Sequence, residues 1–229
     1  MTETRWLNET DIFLFLEYAA ALSDRKSRLF ALACYWTLRA YHVFPESAEL
    51  ARVVQRFIDT NATMEELERA STCLQRAIDE SPVPGWVCDS WEYRVYHYWP
   101  DKVALWAAKT PVDTFAAAEA VIFLGAAPNT RPVQDREKQN RALVLIARDI
   151  FGNPFRPLVV DSSWLSWNQG AVVKLAQAIY EDRSCHELPI LADVLERAGC
   201  KDELILSHCR GPGPHVRGCW VIDLLLGKP

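Results

Sequence analysis

The chain has 229 residues, half of them hydrophobic and 24% charged, with a formal net charge of −5. That much apolar surface offsets chain entropy and excludes a disordered chain, and the length suits one large domain or two small ones. Acidic and basic residues alternate without long runs, which speaks against general nucleic-acid binding, and no run of 18 apolar residues exists to cross a membrane.

The start, "MTETRWLNET", has no basic stretch leading into an apolar one, so no secretory signal is expected. "DIFLFLEYAAAL" follows, apolar but interrupted by Asp11 and Glu17. In "KSRLFALACYWTLRAYHVF" the period of 3.6 places Leu29, Ala33, Trp36 and Ala40 on one helical face. "SAELARVVQRFID" repeats the pattern with Leu50, Val54 and Phe57. In "TMEELERASTCLQRAI", Thr63 and Glu66 form a capping box, and Leu67, Ala70, Leu74 and Ile78 make the buried stripe. Pro45, Pro82 and Pro84 punctuate these helices.

The aromatic stretch "GWVCDSWEYRVYHYWPDKVALW" reads as irregular, or at most a marginal hairpin, in its first half. "TPVDTFAAAEAVIFLG" reads as a helix with Thr110 at the cap, Pro111 at the first position and Gly125 just past the end. "APNTRPVQ", residues 127–134, breaks the periodicity. It is the expected seam between an N-terminal helical stretch, residues 1–126, and a C-terminal one, residues 135–229, within one helical unit. "DREKQNRALVLIARDIF" resumes helix with Leu145 or Ile146 and Ile150 inward. From Gly152 to Gly170 a long loop is expected, anchored by Trp164 and Trp167. Short amphipathic helices follow on Val172, Leu175, Ala176 and Ile179, then on Leu188, Leu191 and Leu195 with Gly199 closing, then after Asp202 as cap. "GCWVIDLLLG" is apolar enough to be buried. The sum is an all-α protein, a compact array of about ten helices.

The chemistry concentrates in "SHCRGPGPHVRGCW", Ser207 to Trp220. His208, Cys209, His215 and Cys219 are zinc-ligand types, although the adjacent pair His208 and Cys209 points its side chains apart and the spacing matches no finger or ribbon; Cys200 is a substitute for one of that pair. Cys209 or Cys219 with His215 would make a thiolate–imidazolium pair, with Asp223 or Glu187 to orient it, yet no protease signature surrounds them. Arg210, His215 and Arg217 flank a Gly/Pro loop that opens a helix, which suits a phosphate or carboxylate, without a phosphate-loop pattern. Against these stands a structural reading. Pro212 and Pro214 stiffen the loop, the glycines turn it, and the whole is a clasp that returns "CWVIDLLL" to the core. "CHELP" lacks the second His of a zinc-protease helix, and "WEYRVYHYW" is a core aromatic cluster before it is a stacking platform. The seven cysteines are odd in number and scattered, as expected of reduced thiols in a cytoplasmic protein.

"RDIFGNPFRPLVVDSSWLSW", "AVVKLAQAIYEDRSCHELPILADVLERAGC" and "ILSHCRGPGPHVRGCWVIDLLLGK" resemble the C-terminal region of a large bacterial family with many paralogous copies. "SDRKSRLFALAC" resembles its N-terminal helical segment, with Tyr35 where the family has a second Cys. The matches cover the C-terminal third and a short piece near the start, and residues 82–134 have no counterpart. The family carries no established activity, substrate or cofactor. The resemblance implies a bacterial cytoplasmic protein whose C-terminal loop is a family signature. Without a recognisable catalytic set, the expected function is non-enzymatic: an interaction or regulatory protein with a protein partner and no cofactor. The alternative is an anion- or metal-binding protein, an enzyme included, with zinc as the metal and its site in the 207–220 loop.

Overall fold

The computed structural model describes residues 1–19, 21–38, 44–81, 99–125 and 133–228. Among these residues there are twelve α-helices and no strand, and ten of the helices have seven or more residues, in line with the all-α array of about ten. They are α1 (Glu3–Asn8), α2 (Ile12–Ala19), α3 (Asp24–Thr37), α4 (Pro45–Ile58), α5 (Met64–Glu80), α6 (Trp99–Ala108), α7 (Thr114–Gly125), α8 (Val133–Phe151), α9 (Ser162–Asp182), α10 (Leu188–Arg197), α11 (Glu203–Arg210) and α12 (Trp220–Leu225). The aromatic stretch 86–98 and residues 127–132 of the expected seam lie outside the described residues. The chain divides into two units: Met1–Glu9 with Val144–Pro229, and Thr10–Leu143.

In the unit Thr10–Leu143, α3 packs on α4, α6 and α7, and α4 packs on α5 and α6. The capping box of α5 is present, with Thr63 Oγ1 accepting from Glu66 N and Glu66 Oε2 accepting from Thr63 N. Leu67, Leu74 and Ile78 are buried below it, as the stripe predicts. In α3 the phase differs from the expected one: Trp36 is 38% exposed, while Leu29, Phe30, Ala31, Cys34, Tyr35 and Leu38 are buried. From Leu29 to Trp36 every residue is apolar, so periodicity has no polar face in this run to fix its phase, and neighbouring helices decide it. Arg28, 2% exposed, is sustained by Asp24, the carbonyl of Ala107, the hydroxyl of Thr110 and the ring of Phe57. Helix α7 begins later than expected. Asp113 Oδ1 takes the Ala116 amide and so caps the helix, while Thr110 is engaged by Arg28.

In the other unit, α9, α10, α11 and α12 enclose an apolar core of Val172, Ala176, Ile179, Leu188, Leu191, Leu195, Ile205, Leu206, Val221, Ile222 and Leu225. Each fully buried leucine contributes about 1.5–3 kcal/mol by area. Trp6 of α1 is buried here, edge-on to Phe155 at 6.4 Å, and the Arg148 guanidinium donates to the carbonyls of Trp6 and Glu9 at the end of α1. In the part of α8 that belongs to this unit the buried positions are Val144, Ala147, Asp149, Ile150 and Phe151, with Leu145 46% exposed. Part of the expected long loop is helical. Asp161 caps a turn from Ser162 to Ser166, and Asn168, Gln169 and Gly170 then take positive φ before the helix resumes. Of the segment expected to be buried, Leu225 is 3% exposed, while Trp220 and Leu224 are half-buried.

Candidate metal centre

The signature loop is built by three local devices. Asp202 caps α11 by accepting from the amides of Leu204 and Ile205, which fixes the helix that carries His208 near its end. Residues 211–218 then run without helix. Gly213 at φ +83° and Gly218 at φ +92° take the turns, and a Cβ on Gly213 would sit 2.9 Å from the backbone nitrogen of His215. Cys219 is the residue before α12. Opposite the loop, the end of α8 presents Asp149, and Gly152 lets the chain pass Trp220, where a Cβ would stand 3.2 Å from the Trp220 side chain.

Asp149 is the hub. Its Oδ1 accepts from His215 Nδ1 at 2.9 Å and lies 3.1 Å from His208 Nε2, and its Oδ2 accepts from the Val216 amide at 2.8 Å. His208 Nε2 also lies 3.2 Å from Cys219 Sγ. The second nitrogens are engaged too: Trp220 Nε1 donates to His208 Nδ1 at 3.2 Å, and His215 Nε2 meets the carbonyl of Gly211 at 3.3 Å. The two imidazoles cross edge to face with centroids 4.9 Å apart. One ligand atom from each of Asp149, His208, His215 and Cys219 lies within 4.8 Å of every other. Asp149 and Cys219 are buried, and the imidazoles are largely covered.

The protonation follows from this wiring. Burial alone would raise the Asp149 carboxyl, but hydrogen bonds from His208, His215 and Val216 outweigh it and hold the group below the usual carboxylate range. The hydrogen bond to Asp149 raises His215 above the ordinary imidazole value. Both His215 nitrogens face acceptors, an arrangement that favours the doubly protonated ring. Burial, then the charge of Asp149, pushes the Cys219 thiol well above its ordinary value.

These facts bear on each of the candidate chemistries. A Cys–His–Asp nucleophile needs the thiol on one imidazole nitrogen and the carboxylate on the other. The expected base, His215, has its nitrogens on Asp149 and the Gly211 carbonyl, while Cys219 and Asp149 share Nε2 of His208, whose other nitrogen belongs to Trp220, and the thiol is 1% exposed and pushed up by burial. Cys209 offers no better nucleophile, since it is fully buried and burial pushes its thiol up to about 12. The anion trio is held by separate partners. Arg210 pairs with Asp193 at 2.9 Å and Glu196 at 2.6 Å, His215 sits in the Asp149 knot, and the Arg217 guanidinium lies 4.3 Å over the Tyr180 ring. Of the metal set, His208, His215 and Cys219 come together, while Cys209 and Cys200 pack in the apolar core. The fourth donor is Asp149, which lies 66 residues before His215 and which the loop motif could not point to. Donors around a tetrahedral zinc ion stand about 3.3–3.6 Å apart, given Zn–N near 2.0–2.1 Å and Zn–S near 2.3 Å. The hydrogen-bonded separations here are 2.9, 3.1 and 3.2 Å and all the others lie within 4.8 Å, a span that includes that spacing. His186, in the three-residue 3-10 turn Cys185–Glu187, is exposed and takes no part. No protein-family model, curated protein or solved structure matches the chain.

Proposed function

We propose that the protein is a metal-binding protein rather than an enzyme, and that Asp149, His208, His215 and Cys219 together hold one divalent transition-metal ion, zinc by the chemistry of the donors. The reading is carried by one observation: four zinc-type ligand atoms from α8, the end of α11 and the loop before α12 lie within 4.8 Å of one another in a buried place. Two imidazoles, a thiol and a carboxylate form a borderline-soft set that suits zinc and disfavours magnesium or calcium. Four protein donors close a tetrahedral site and leave no position for a water or substrate, so the ion's work is structural. It fastens the loop to α8. A site without an open position serves a binding surface better than a reaction, and a protein partner is therefore the natural user of this unit. A reducing cytoplasm suits the proposal, since Cys219 must be a free thiol to ligate, and the six described cysteines are free. Among the described residues no helix is long and apolar enough to cross a membrane.

The test is metal content. Protein purified without chelator should carry one equivalent of zinc, and metal-free protein should take one equivalent back in competition with a chromophoric chelator. Cys219→Ser and Asp149→Ala should weaken that uptake at least tenfold, while Cys209→Ala should not. Absence of uptake by correctly folded wild-type protein defeats the proposal and returns the loop to a hydrogen-bonded clasp.

A further inference from the structure

We infer that Trp220 is coupled to occupancy of this site: an ion held by His208 Nε2 obliges the Trp220 indole to give up its hydrogen bond to His208 Nδ1. The inference rests on the metal reading above and adds a moving part to it. An indole N–H only donates, so the nitrogen it meets at 3.2 Å carries a lone pair and no proton. His208 in this arrangement therefore has its proton on Nε2, between Asp149 Oδ1 and Cys219 Sγ. That is the nitrogen placed among the other donors. A neutral imidazole bound to a metal through Nε2 carries its proton on Nδ1 and needs an acceptor there. The proton count on His208 is unchanged and only the tautomer moves. Two N–H groups would then face each other across 3.2 Å, and one must leave.

The indole is the one free to go. A ligated His208 is held by its ion, whereas Trp220 is half-buried and has an outward side to turn to. The rings already lie tilted by 53° with centroids 4.9 Å apart, so a modest rotation would bring the indole face, in place of its N–H, over the new imidazole N–H. Trp220 is also the first residue of α12 and packs over Gly152 at the end of α8. Its rotation would alter how the first turn of α12 meets that segment. The device has two arrangements of one contact, set by whether protons or an ion joins the four donors, and its visible output is the position of a large aromatic side chain.

The experiment uses the full chain with 15N-labelled tryptophan and histidine, titrated with zinc alone. At one equivalent the Trp220 indole N–H signal should shift and exchange faster with water, and the protonated nitrogen of His208 should change from Nε2 to Nδ1. Trp220→Phe has no hydrogen bond to give up and should bind zinc about 2- to 10-fold more tightly than wild type. If that variant fails to fold, the wild-type tautomer decides alone. Zinc uptake with His208 still protonated on Nε2 and the indole signal unmoved overturns the coupling and leaves the metal site standing. Failure of wild-type protein to take up zinc overturns both.

Discussion

Asp149→Asn in the metal-free protein isolates the hydrogen-bonded knot from any ion. The substitution keeps size and shape and changes only what the group can accept. With an amide oxygen in place of Oδ1, the new side chain still accepts from His208 and His215. Its NH2 then replaces Oδ2 and confronts the Val216 amide, which Oδ2 now accepts at 2.8 Å. A flipped amide satisfies Val216 and offers two hydrogens to two imidazole N–H groups, which is worse. A buried donor left without its acceptor costs about 1–3 kcal/mol, and the charge-assisted part of the bond to His215 is worth about 1.5–3 kcal/mol. Asp149 is 3% exposed, so solvent screens little of this, and the sum of about 2.5–6 kcal/mol spans the usual cost of about 3–5 kcal/mol for removing one partner of a buried pair. Denaturant unfolding in excess chelator measures the loss, and hydrogen exchange at the Val216 amide locates it. A loss under about 1 kcal/mol, with Val216 still protected, would refute the view that Asp149 fastens the loop.

Gly213→Ala should cost about 2 kcal/mol or more by thermal unfolding, since φ is +83° and the new Cβ would stand 2.9 Å from His215 N. Leu195→Ala, at a fully buried core position, should cost about 2–5 kcal/mol in the same assay, whereas Arg210→Ala, which breaks only exposed pairs with Asp193 and Glu196, should be nearly silent at physiological salt. Thr63→Ala should cost about 1 kcal/mol through loss of the α5 cap. The hydrogen bond from the Thr63 amide holds Glu66 below its usual range, so its contribution is present above the ordinary carboxylate pKa and lost as pH falls through the lowered value. Wild type should lose its advantage over Glu66→Gln across that acid interval.

The parts of the fold legible in the sequence are those whose signal is local. The α5 capping box, the Asp202 cap and the Leu188, Leu191 and Leu195 stripe each depend on residues within two turns of one another, and each stands where the pattern puts it. Where the signal is not local the reading slips. The run around Trp36 is too evenly apolar to fix a phase. The choice of Asp113 over Thr110 as the α7 cap depends on Arg28, 82 residues away from the threonine it engages.

The site divides along the same line. Adjacent residues on a helix point about 100° apart, so His208 and Cys209 were never able to serve one ion together, and the structure sends the first to the knot and the second to the core. His208, His215 and Cys219 are local to one signature, and their residue types announce metal chemistry. A set of three leaves open whether the site is a clasp, a catalytic centre with an open position, or a closed structural centre. On the proposed reading the fourth donor is Asp149, a residue that resembles any charge at the end of an amphipathic helix until the fold turns it inward. The same residue weighs against the nucleophile reading, because burial first and then the Asp149 carboxylate beside it push the Cys219 thiol up, while an ion at that place would need the thiolate. One buried carboxylate therefore organises the whole loop: hydrogen bonds to Asp149 join the donors, and on the proposed reading the same donors, freed of those protons, would be the ligands of an ion.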